Sequence, residues 1–368
     1  MVNLEINKEN LIHNINKIKD IANESKKSPK IIAVIKGNGY GLGLELYGKL
    51  LLENDIDFFA VSTYEEAVKL RNSGFENDIL LLSSICVEQE VRGLIEKDII
   101  LTLGSKIACE TCEKVANEMK KKPRAHIKID TGFGRYGFLY NQLEEILESF
   151  KILKNTKITG VFSHFSMSFH KKSNWTNIQF DRFMNCINIL KEENIQLGMV
   201  HICNSCAFLT YPNMYLDAVR IGSAFTGRIS IENTYGLKKI GFLTSAVSEI
   251  KELPKGYNIS YTNGYKTKKN TKVAIIPTGT YAGFNMSKSK TLFRTIDKFR
   301  YLYSDLKLFL FNKKIQVVIC EKKHNIIGTI GMYHLIVDIT GSNIQIGDKV
   351  MLEVNPIFVD SSVDRKYI

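Results

Sequence analysis

Short apolar runs alternate with amphipathic stretches along the first two-thirds of the chain. The first amphipathic stretch follows Asn7, a candidate helix cap, and has Leu11, Ile15, Ile18 and Ala22 at helical spacing. The apolar runs predict eight buried strands: Ile31–Ile35, Phe58–Val61, Ile79–Leu82, Ile99–Leu103, Ala125–Ile129, Ile158–Phe162, Met199–Ile202 and Leu216–Ile221. Eight strands separated by helices favour an α/β barrel of the TIM-like (β/α)8 type, with an open doubly wound sheet as the alternative.

Strand patterns replace the helical rhythm after about Gly227. They predict further strands at Phe242–Ile250, Lys272–Ile276, Ile315–Ile319, Leu335–Ile339 and Val350–Val354. We therefore predict two domains: the barrel at 1–229, and a mostly β C-terminal domain at 230–368 with an insertion around 285–312. The alternating segment 2–6 reads as a strand, which we expect to pair with the C-terminal domain.

Composition and charge exclude several classes of protein. Of the 368 residues, 44% are apolar and 24% are charged, as in soluble globular proteins. The net charge of +12 raises the question of nucleic-acid binding, but the basic residues are not interleaved with aromatics at the spacing of any module, so we expect no nucleic-acid partner. With no signal peptide or bilayer-spanning stretch evident, we expect a cytoplasmic protein without a membrane partner.

Two C-x-x-C spacings, Cys109 with Cys112 and Cys203 with Cys206, suggest zinc or redox chemistry. Neither spacing has a second pair at zinc-finger distance, so no metal site is expected.

Unusual polar residues stand at or just after the ends of five predicted strands. They are Lys36; Lys128 and Asp130; Ser163 and His164; His201, Asn204 and Ser205; and Arg220, Gly222 and Ser223. In a barrel these strand ends form one rim, where the chemistry collects.

The residues on this rim suggest a cofactor. Lys36 ends the first buried strand, where a desolvated amine becomes a nucleophile able to form a Schiff base; a lysine snorkelling to solvent is the alternative. Ser205, Gly222 and Ser223 are small residues after strands seven and eight, where barrels often bind phosphate. An amine next to a phosphate cradle is what pyridoxal 5'-phosphate requires.

Several segments around these residues occur in an order that resembles alanine racemase. They are Ala33–Gly41, His126–Arg135, His201–Ser205, Val219–Gly222, Ile259–Tyr261, Ile276–Gly279, Gly331–Met332 and Arg365–Tyr367. Ordered motifs over nearly the whole chain are more specific than a lone glycine pattern. The resemblance implies a pyridoxal-phosphate-dependent amino-acid racemase, an isomerase that converts L-alanine to D-alanine as a homodimer.

The resemblance also implies how the cofactor is held. Lys36 would carry it covalently, and Arg220 would face the pyridine nitrogen. His164 and His201 would pack against or brace the ring, with a histidine bonded to the backbone as the alternative. The other cofactor-binding residues would be Tyr40, Asn204, Ser205, Gly222, Ser223 and Tyr367.

Racemisation needs one base on each face of the α-carbon. By the resemblance these bases are Lys36 and the partner subunit's Tyr261, so that the active sites are shared in the homodimer. Arg135 would bind the substrate carboxylate, and Met332 would reach the partner's site through its backbone N–H.

Lys128 matches a position that is carbamylated in many family members, where the resulting anion orients the arginine. The alternative is an ordinary lysine that forms an exposed and weak pair with Asp130.

Departures from the family pattern leave the substrate open. Thr280 and Tyr333 replace the usual residues at the family's substrate entry, Tyr281 stands one place late, and the connection around 285–312 is lengthened. A racemase for serine or a larger amino acid is therefore the main alternative. A non-catalytic pyridoxal-phosphate carrier ranks lower, because it would need neither Tyr261 nor a β domain.

Overall fold

The computed structural model describes residues 1–170, 173–287, 293–311 and 314–368. These residues form two compact units. One unit is Lys8–Ile240, and the other joins Met1–Asn7 to Gly241–Ile368. Within the described ranges, no helix is long and apolar enough to cross a membrane.

The first unit is a closed parallel barrel, which confirms the predicted (β/α)8 fold. Its strands, in chain order, are Lys30–Val34, Phe58–Val61, Asp78–Ser84, Ile100–Leu103, Arg124–Asp130, Lys157–Phe162, Met199–His201 and Ala218–Ile221. Consecutive strands pair in parallel, and the last pairs with the first to close the ring.

Helices cover the outside of the barrel, and side chains fill its centre. The helices are Lys8–Glu24, Leu44–Leu52, Tyr64–Asn72, Glu88–Glu96, Lys106–Met119, Leu143–Ile152, Trp175–Glu192 and Ser205–Thr210. Alternate strand residues such as Ile32, Phe58 and Leu80 are at most 2% exposed and form one apolar cluster. Because every strand is buried on both faces, the strands read as continuous apolar runs in the sequence.

The barrel unit continues past residue 229. The backbone N–H of Lys238 donates to Asn14 Oδ1 at 2.7 Å, and that of Ile240 donates to the carbonyl of Thr226 at 3.2 Å. The second unit therefore starts at Gly241.

The second unit is built from two antiparallel-rich sheets and a hairpin. The six-stranded sheet has the order Lys322–Asn325, Gln316–Ile319, Lys349–Leu352, Phe242–Ala246, Asn3–Ile6 and Asp364–Tyr367. The three-stranded sheet contains Glu249–Leu253, Thr271–Ile276 and Leu335–Asp338, and the hairpin pairs Asn258–Ile259 with Tyr265–Lys266. Asn3–Ile6 is antiparallel to Phe242–Ala246 and parallel to Asp364–Tyr367.

Two sequence-based bounds were wrong. The predicted strand Phe242–Ile250 is two strands in different sheets: the N–H of Val247 bonds the carbonyl of Asp348, and the next N–H, of Ser248, bonds that of Ile275. The first barrel strand ends at Val34, so Lys36 lies in the following turn and not at the strand end.

The region around 285–312 contains a helix, Thr295–Phe311. Residues 288–292 and 312 of this predicted insertion lie outside the described residues. We refer to Thr295–Phe311 as the insertion helix.

Candidate active site

Lys36 opens a left-handed turn. The four following residues, Gly37 to Tyr40, all have φ between 52° and 66°, and the N–H of Gly39 donates to the carbonyl of Ile35 at 2.8 Å. Glycine adopts this conformation without steric cost and asparagine tolerates it, so the Gly37-Asn38-Gly39 sequence permits the turn. The turn places Lys36 and Tyr40 at the same end of the barrel.

Glu66 holds this turn, and the sequence analysis missed it. Its two carboxylate oxygens accept the backbone N–H groups of Asn38 at 3.0 Å and Ser62 at 3.2 Å. Thr63 caps the helix by accepting the N–H of Glu66 at 3.2 Å. The Thr63-x-x-Glu66 spacing of a capping box was the available signal, but it does not reveal the distant partner Asn38.

Lys36 is partly withdrawn from solvent among cations. Burial lowers its pKa, as do the charges of Arg135 and Arg220, while Glu66 acts in the opposite direction. The amine is therefore easier to deprotonate than an ordinary lysine, which is a requirement for a nucleophile or a general base.

Arg220 lies at the centre of a buried polar cluster. Its guanidinium is 3% exposed and donates to His201 Nδ1 at 2.6 Å, to His164 Nδ1 at 3.1 Å and to the Ser163 carbonyl at 2.6 Å. Among the described residues no carboxylate pairs with it, and its Nε–H makes no hydrogen bond. Arg220 is thus a buried cation whose hydrogen-bond partners are all neutral acceptors. Its remaining donor, the Nε–H, could bind an acceptor atom of a ligand.

Arg220 also fixes the state of the histidines. A guanidinium only donates, so the Nδ1 atoms of His164 and His201 must accept and both rings carry their proton on Nε2. Burial and the charge of Arg220 hold the pKa of both rings well below the ordinary value. The alternative of a rim histidine bonded to backbone is therefore wrong for both, since each bonds the guanidinium.

His126 extends this cluster and had no predicted role. His201 Nε2 lies 3.0 Å from His126 Nδ1, and burial lowers the pKa of His126 to about 3. A Cβ at Gly160 would lie only 2.6 Å from the His126 ring, so the glycine leaves room for it. Its position two residues before Lys128, on the same side of one strand, was the available signal.

Tyr40, Ser205 and Gly222 meet at one point of the rim. Ser205 Oγ accepts the N–H of Gly222 at 3.0 Å and that of Ala224 at 3.3 Å. A side chain at Gly222 would collide with the Tyr40 hydroxyl. Burial raises the pKa of Tyr40 to about 12, so its hydroxyl stays protonated and can donate.

Asn204 and Ser223 flank this point. Asn204 caps the helix Ser205–Thr210, with its Oδ1 accepting the N–H of Ala207 at 3.0 Å and the hydroxyl of Ser168 at 2.8 Å. The Ser223 carbonyl accepts from Thr226 Oγ1 at 2.8 Å.

Asp130 orders the glycine-rich turn that carries Arg135. Its carboxylate accepts four consecutive backbone N–H groups, from Gly132 to Arg135, at 2.7 to 3.1 Å. Burial raises the pKa of Asp130, but these four bonds outweigh it and hold the pKa below its ordinary value. The Arg135 guanidinium lies over the Phe133 ring, 4.4 Å from its centroid.

Lys128 does not form the exposed pair with Asp130 that we considered. It is 5% exposed, and among the described residues no carboxylate is within ion-pair distance of its amine. The Nζ atom lies 5.4 Å from the Tyr136 ring centroid and 5.3 Å from that of Phe162. Burial, followed by the charges of Arg135 and Arg220, lowers the pKa of Lys128 to about 7. Residues around it, including Asp130 and His164, line a small open cleft.

The remaining predicted site residues belong to the second unit. Tyr261 is 76% exposed between Ser260 and Thr262, which have φ of 67° and 59°. Met332 is also exposed, and Tyr367 is half-buried in the strand beside Asn3–Ile6.

The two departures at Thr280 and Tyr333 lie in one structural element. The N–H groups of Thr280 and Tyr281 donate to the carbonyls of Gly331 and Met332, each at 3.1 Å. The Tyr281 and Tyr333 rings contact each other with centroids 4.9 Å apart. The late tyrosine and the substituted position therefore form one aromatic pair.

Comparison with known proteins gives a family for both units. Residues 6–229 match the N-terminal domain of alanine racemase, and residues 241–359 match its C-terminal domain. The chain belongs to the alanine racemase family. The alanine racemase of Clostridium novyi (strain NT) is 31% identical over 366 residues, which cover 97% of this chain and 87% of that protein.

Other members of the family agree. Alanine racemase 1 of Caldanaerobacter subterraneus subsp. tengcongensis is 30% identical over 355 residues, covering 95% of this chain and 84% of that protein. The solved structure of alanine racemase from Clostridium difficile 630 is 26% identical, with a TM-score of 0.86 over 100% of this chain and 95% of that one.

Proposed function

We propose that this protein is a pyridoxal-phosphate-dependent alanine racemase that interconverts L- and D-alanine as a homodimer. The observation that carries the proposal is the deprotonatable Lys36 beside the buried Arg220, in a chain that belongs to the alanine racemase family. These residues supply a nucleophilic amine and a cation at the same end of the barrel.

The residues present fit the cofactor. The hydroxyls of Tyr40 and Ser205 can both donate at a point with no room for a side chain at Gly222, which suits a phosphate. The free Nε–H of Arg220 suits the pyridine nitrogen. We infer that Asn204, Ser223 and Tyr367 complete the set that holds the cofactor. When bound, pyridoxal phosphate supplies the electron sink that makes the proton on the α-carbon of an amino acid labile.

The protein's own groups move that proton. Lys36, with its lowered pKa, removes or returns it on one face of the α-carbon, and the partner subunit's Tyr261 acts on the other face. Arg135 binds the substrate carboxylate, and the Met332 N–H assists from the partner. His164 and His201 are neutral and hold Arg220 in place. The high exposure of Tyr261 in the single chain supports its use by a second copy.

Lys128 is the group we propose to be carbamylated. A buried amine with a pKa of about 7 is about half deprotonated at neutral pH and mostly deprotonated at slightly alkaline pH, and only the neutral amine reacts with CO₂. The product would be an anion among Arg135, Arg220 and Lys36, which relieves their mutual repulsion. Electron density at the tip of Lys128 in a crystal structure of the holoenzyme tests this.

Replacement of Lys36 is the direct test of the cofactor assignment. Lys36→Ala should abolish both racemisation and the visible absorbance of the bound cofactor, because no other amine is proposed to hold it. The matched control is Lys30→Ala, at the solvent-exposed start of the strand that precedes Lys36, which should retain both. A Lys36→Ala protein with unchanged absorbance would refute the role of Lys36.

A second candidate function is a racemase for serine or a larger amino acid. The Tyr281–Tyr333 pair beside Met332 favours it, because this aromatic element departs from the family pattern near a residue proposed to meet substrate. Racemisation should be measured across the common L-amino acids. We expect the highest kcat/KM for alanine. A higher value for serine or a larger amino acid would identify that amino acid as the substrate instead. If no amino acid is turned over, the remaining candidate is a non-catalytic pyridoxal-phosphate carrier.

A further inference from the structure

The insertion helix has an apolar stripe that no part of the described chain covers. Ile296, Phe299, Tyr303, Leu306 and Leu310 recur at alternating spacings of three and four residues, which places them on one side of a helix. Leu302 widens the stripe. These six side chains are 52–71% exposed. A stripe of this width normally faces a protein core, so its exposure indicates that another molecule binds to it.

Cations border the stripe on both sides. Lys298 lies along one edge, and Arg300 and Lys307 lie along the other; all three are exposed. The helix carries only two carboxylates in its described length, at Asp297 and Asp305, and both lie away from the stripe. The sequence adds Lys288, Lys290, Lys313 and Lys314 on either side of the helix.

The nearest carboxylate is itself covered by arginines. Asp297 is 4% exposed and bonds Arg294 Nε at 2.6 Å and Arg300 Nη2 at 3.1 Å. The surface around the stripe therefore presents guanidinium and ammonium groups to whatever approaches it. This charge is complementary to an anionic occupant.

A second copy of the same helix fits less well. In an antiparallel pair, positions on the same edge of the stripe face each other, so Arg300 and Lys307 would meet the Arg300 and Lys307 of the other copy. Like charges at that position oppose the pairing.

We propose that the insertion helix binds anionic lipid membranes by lying in the plane of the surface. Its apolar stripe enters the boundary between head groups and acyl chains, and Lys298, Arg300 and Lys307 contact the phosphates of anionic lipids. Its 17 residues make a helix about 25 Å long, which offers several apolar side chains to one surface. None of the insertion-helix residues is among those proposed to bind cofactor or substrate.

Vesicle co-sedimentation of the full-length holoenzyme tests this proposal. Vesicles of phosphatidylglycerol and phosphatidylcholine in equal parts should bind the protein at least about tenfold more tightly than pure phosphatidylcholine, and added salt should weaken the binding. Leu302→Ser with Leu306→Ser should reduce binding to the anionic vesicles at least about tenfold while racemase activity persists. Equal binding to both vesicle types, or none, would overturn the proposal.

Two further variants test the charge of the insertion helix and the specificity of its apolar stripe. Lys298→Glu with Lys307→Glu keeps the apolar stripe and should also reduce anionic-vesicle binding. The matched control, Leu46→Ser with Ile107→Ser, changes two exposed apolar residues of barrel helices and should bind as wild type. If both helix variants bind as wild type, or if Leu302→Ser with Leu306→Ser instead changes the oligomeric state in sedimentation velocity, the helix is not a lipid-binding surface.

Discussion

Lys36, Lys128 and Arg220 are cationic side chains wholly or partly withdrawn from water at one end of the barrel. Desolvation disfavours the charged form of each side chain, and the charges of Arg135 and Arg220 add to this effect for the two lysines. The result differs with the side chain: the arginine stays charged, whereas the two lysines are shifted towards the neutral amine. The same local field thus creates a fixed cation and two groups that can react.

The cost of burying the charged Lys128 side chain can be measured from how the free energy of unfolding depends on pH. Its pKa is about 7 in the fold and 10.5 ordinarily, so the unfolded chain binds the proton more tightly. The penalty for burying the cation is complete below about pH 7 and shrinks as the pH rises towards 10.5. In CO₂-free buffer, Lys128→Met should therefore raise the free energy of unfolding by on the order of 3 to 5 kcal/mol at pH 6 and by clearly less at pH 9.

Urea denaturation at the two pH values checks this difference. Lys122→Met, which removes an exposed lysine two residues before the strand Arg124–Asp130, is the control and should show little change at either pH. Equal effects of Lys128→Met at both pH values would contradict the lowered pKa.

At the scale of elements, the candidate site residues Lys36 and Arg135 lie in two turns, and one carboxylate stabilises each turn. Glu66 accepts one backbone N–H group in the left-handed turn after Lys36, from Asn38, and a second from Ser62 after the next strand, and Asp130 accepts four at the turn that carries Arg135. A regular helix or sheet does not supply acceptors for these backbone N–H groups, so the two carboxylates accept their hydrogen bonds instead.

Removal of Glu66 should weaken the turn that presents Lys36. Glu66→Ala leaves the N–H groups of Asn38 and Ser62 without their acceptors, which should lower the free energy of unfolding by about 1 to 3 kcal/mol. Glu65→Ala, on the same helix but exposed, is the matched control and should have a much smaller effect. Chemical denaturation measures both, and equal losses would show that the turn does not depend on Glu66.

Some of these elements could be predicted from the sequence and others could not. The barrel strands were predictable because parallel strands buried on both faces appear as apolar runs. The break after Ala246 was not, because an alternating pattern continues through Val247 and Ser248 while the backbone changes its hydrogen-bonding partner. The candidate site residues were proposed for a related reason, because they stand at or just after the ends of those apolar runs.

Contacts between segments that are distant in the chain could not be predicted from the sequence. Glu66 and His126 act through Asn38 and His201, and a single sequence contains no pattern that links such pairs. The exposed pair of Lys128 with Asp130, considered as an alternative, does not form because that carboxylate is occupied by backbone N–H groups.

At the scale of the whole molecule, the proposed function needs two subunits. Mixing two inactive proteins tests this: Lys36→Ala subunits and Tyr261→Phe subunits, after exchange, should form mixed dimers in which one of the two sites has both bases. Random exchange should therefore recover about a quarter of the wild-type activity.

The control mixes Lys36→Ala with Arg135→Ala. Both changes fall in the barrel, so no site in the mixed dimer is complete and activity should not return. Native mass spectrometry confirms that exchange has occurred. If the first mixture also stays inactive once mixed dimers are present, the two bases do not come from different subunits.

The sheet that joins Asn3–Ile6 to Phe242–Ala246 and Asp364–Tyr367 bears on how the chain is made. During synthesis the barrel segment Lys8–Ile240 emerges with its contacts complete, whereas the strand before it has no partner. Its first neighbour, Phe242–Ala246, leaves the ribosome only after the whole barrel segment, and its second neighbour, Asp364–Tyr367, considerably later. The backbone groups and apolar side chains of Asn3–Ile6 therefore stay uncovered for most of translation, and one edge of the strand stays unpaired until Asp364–Tyr367 has been made.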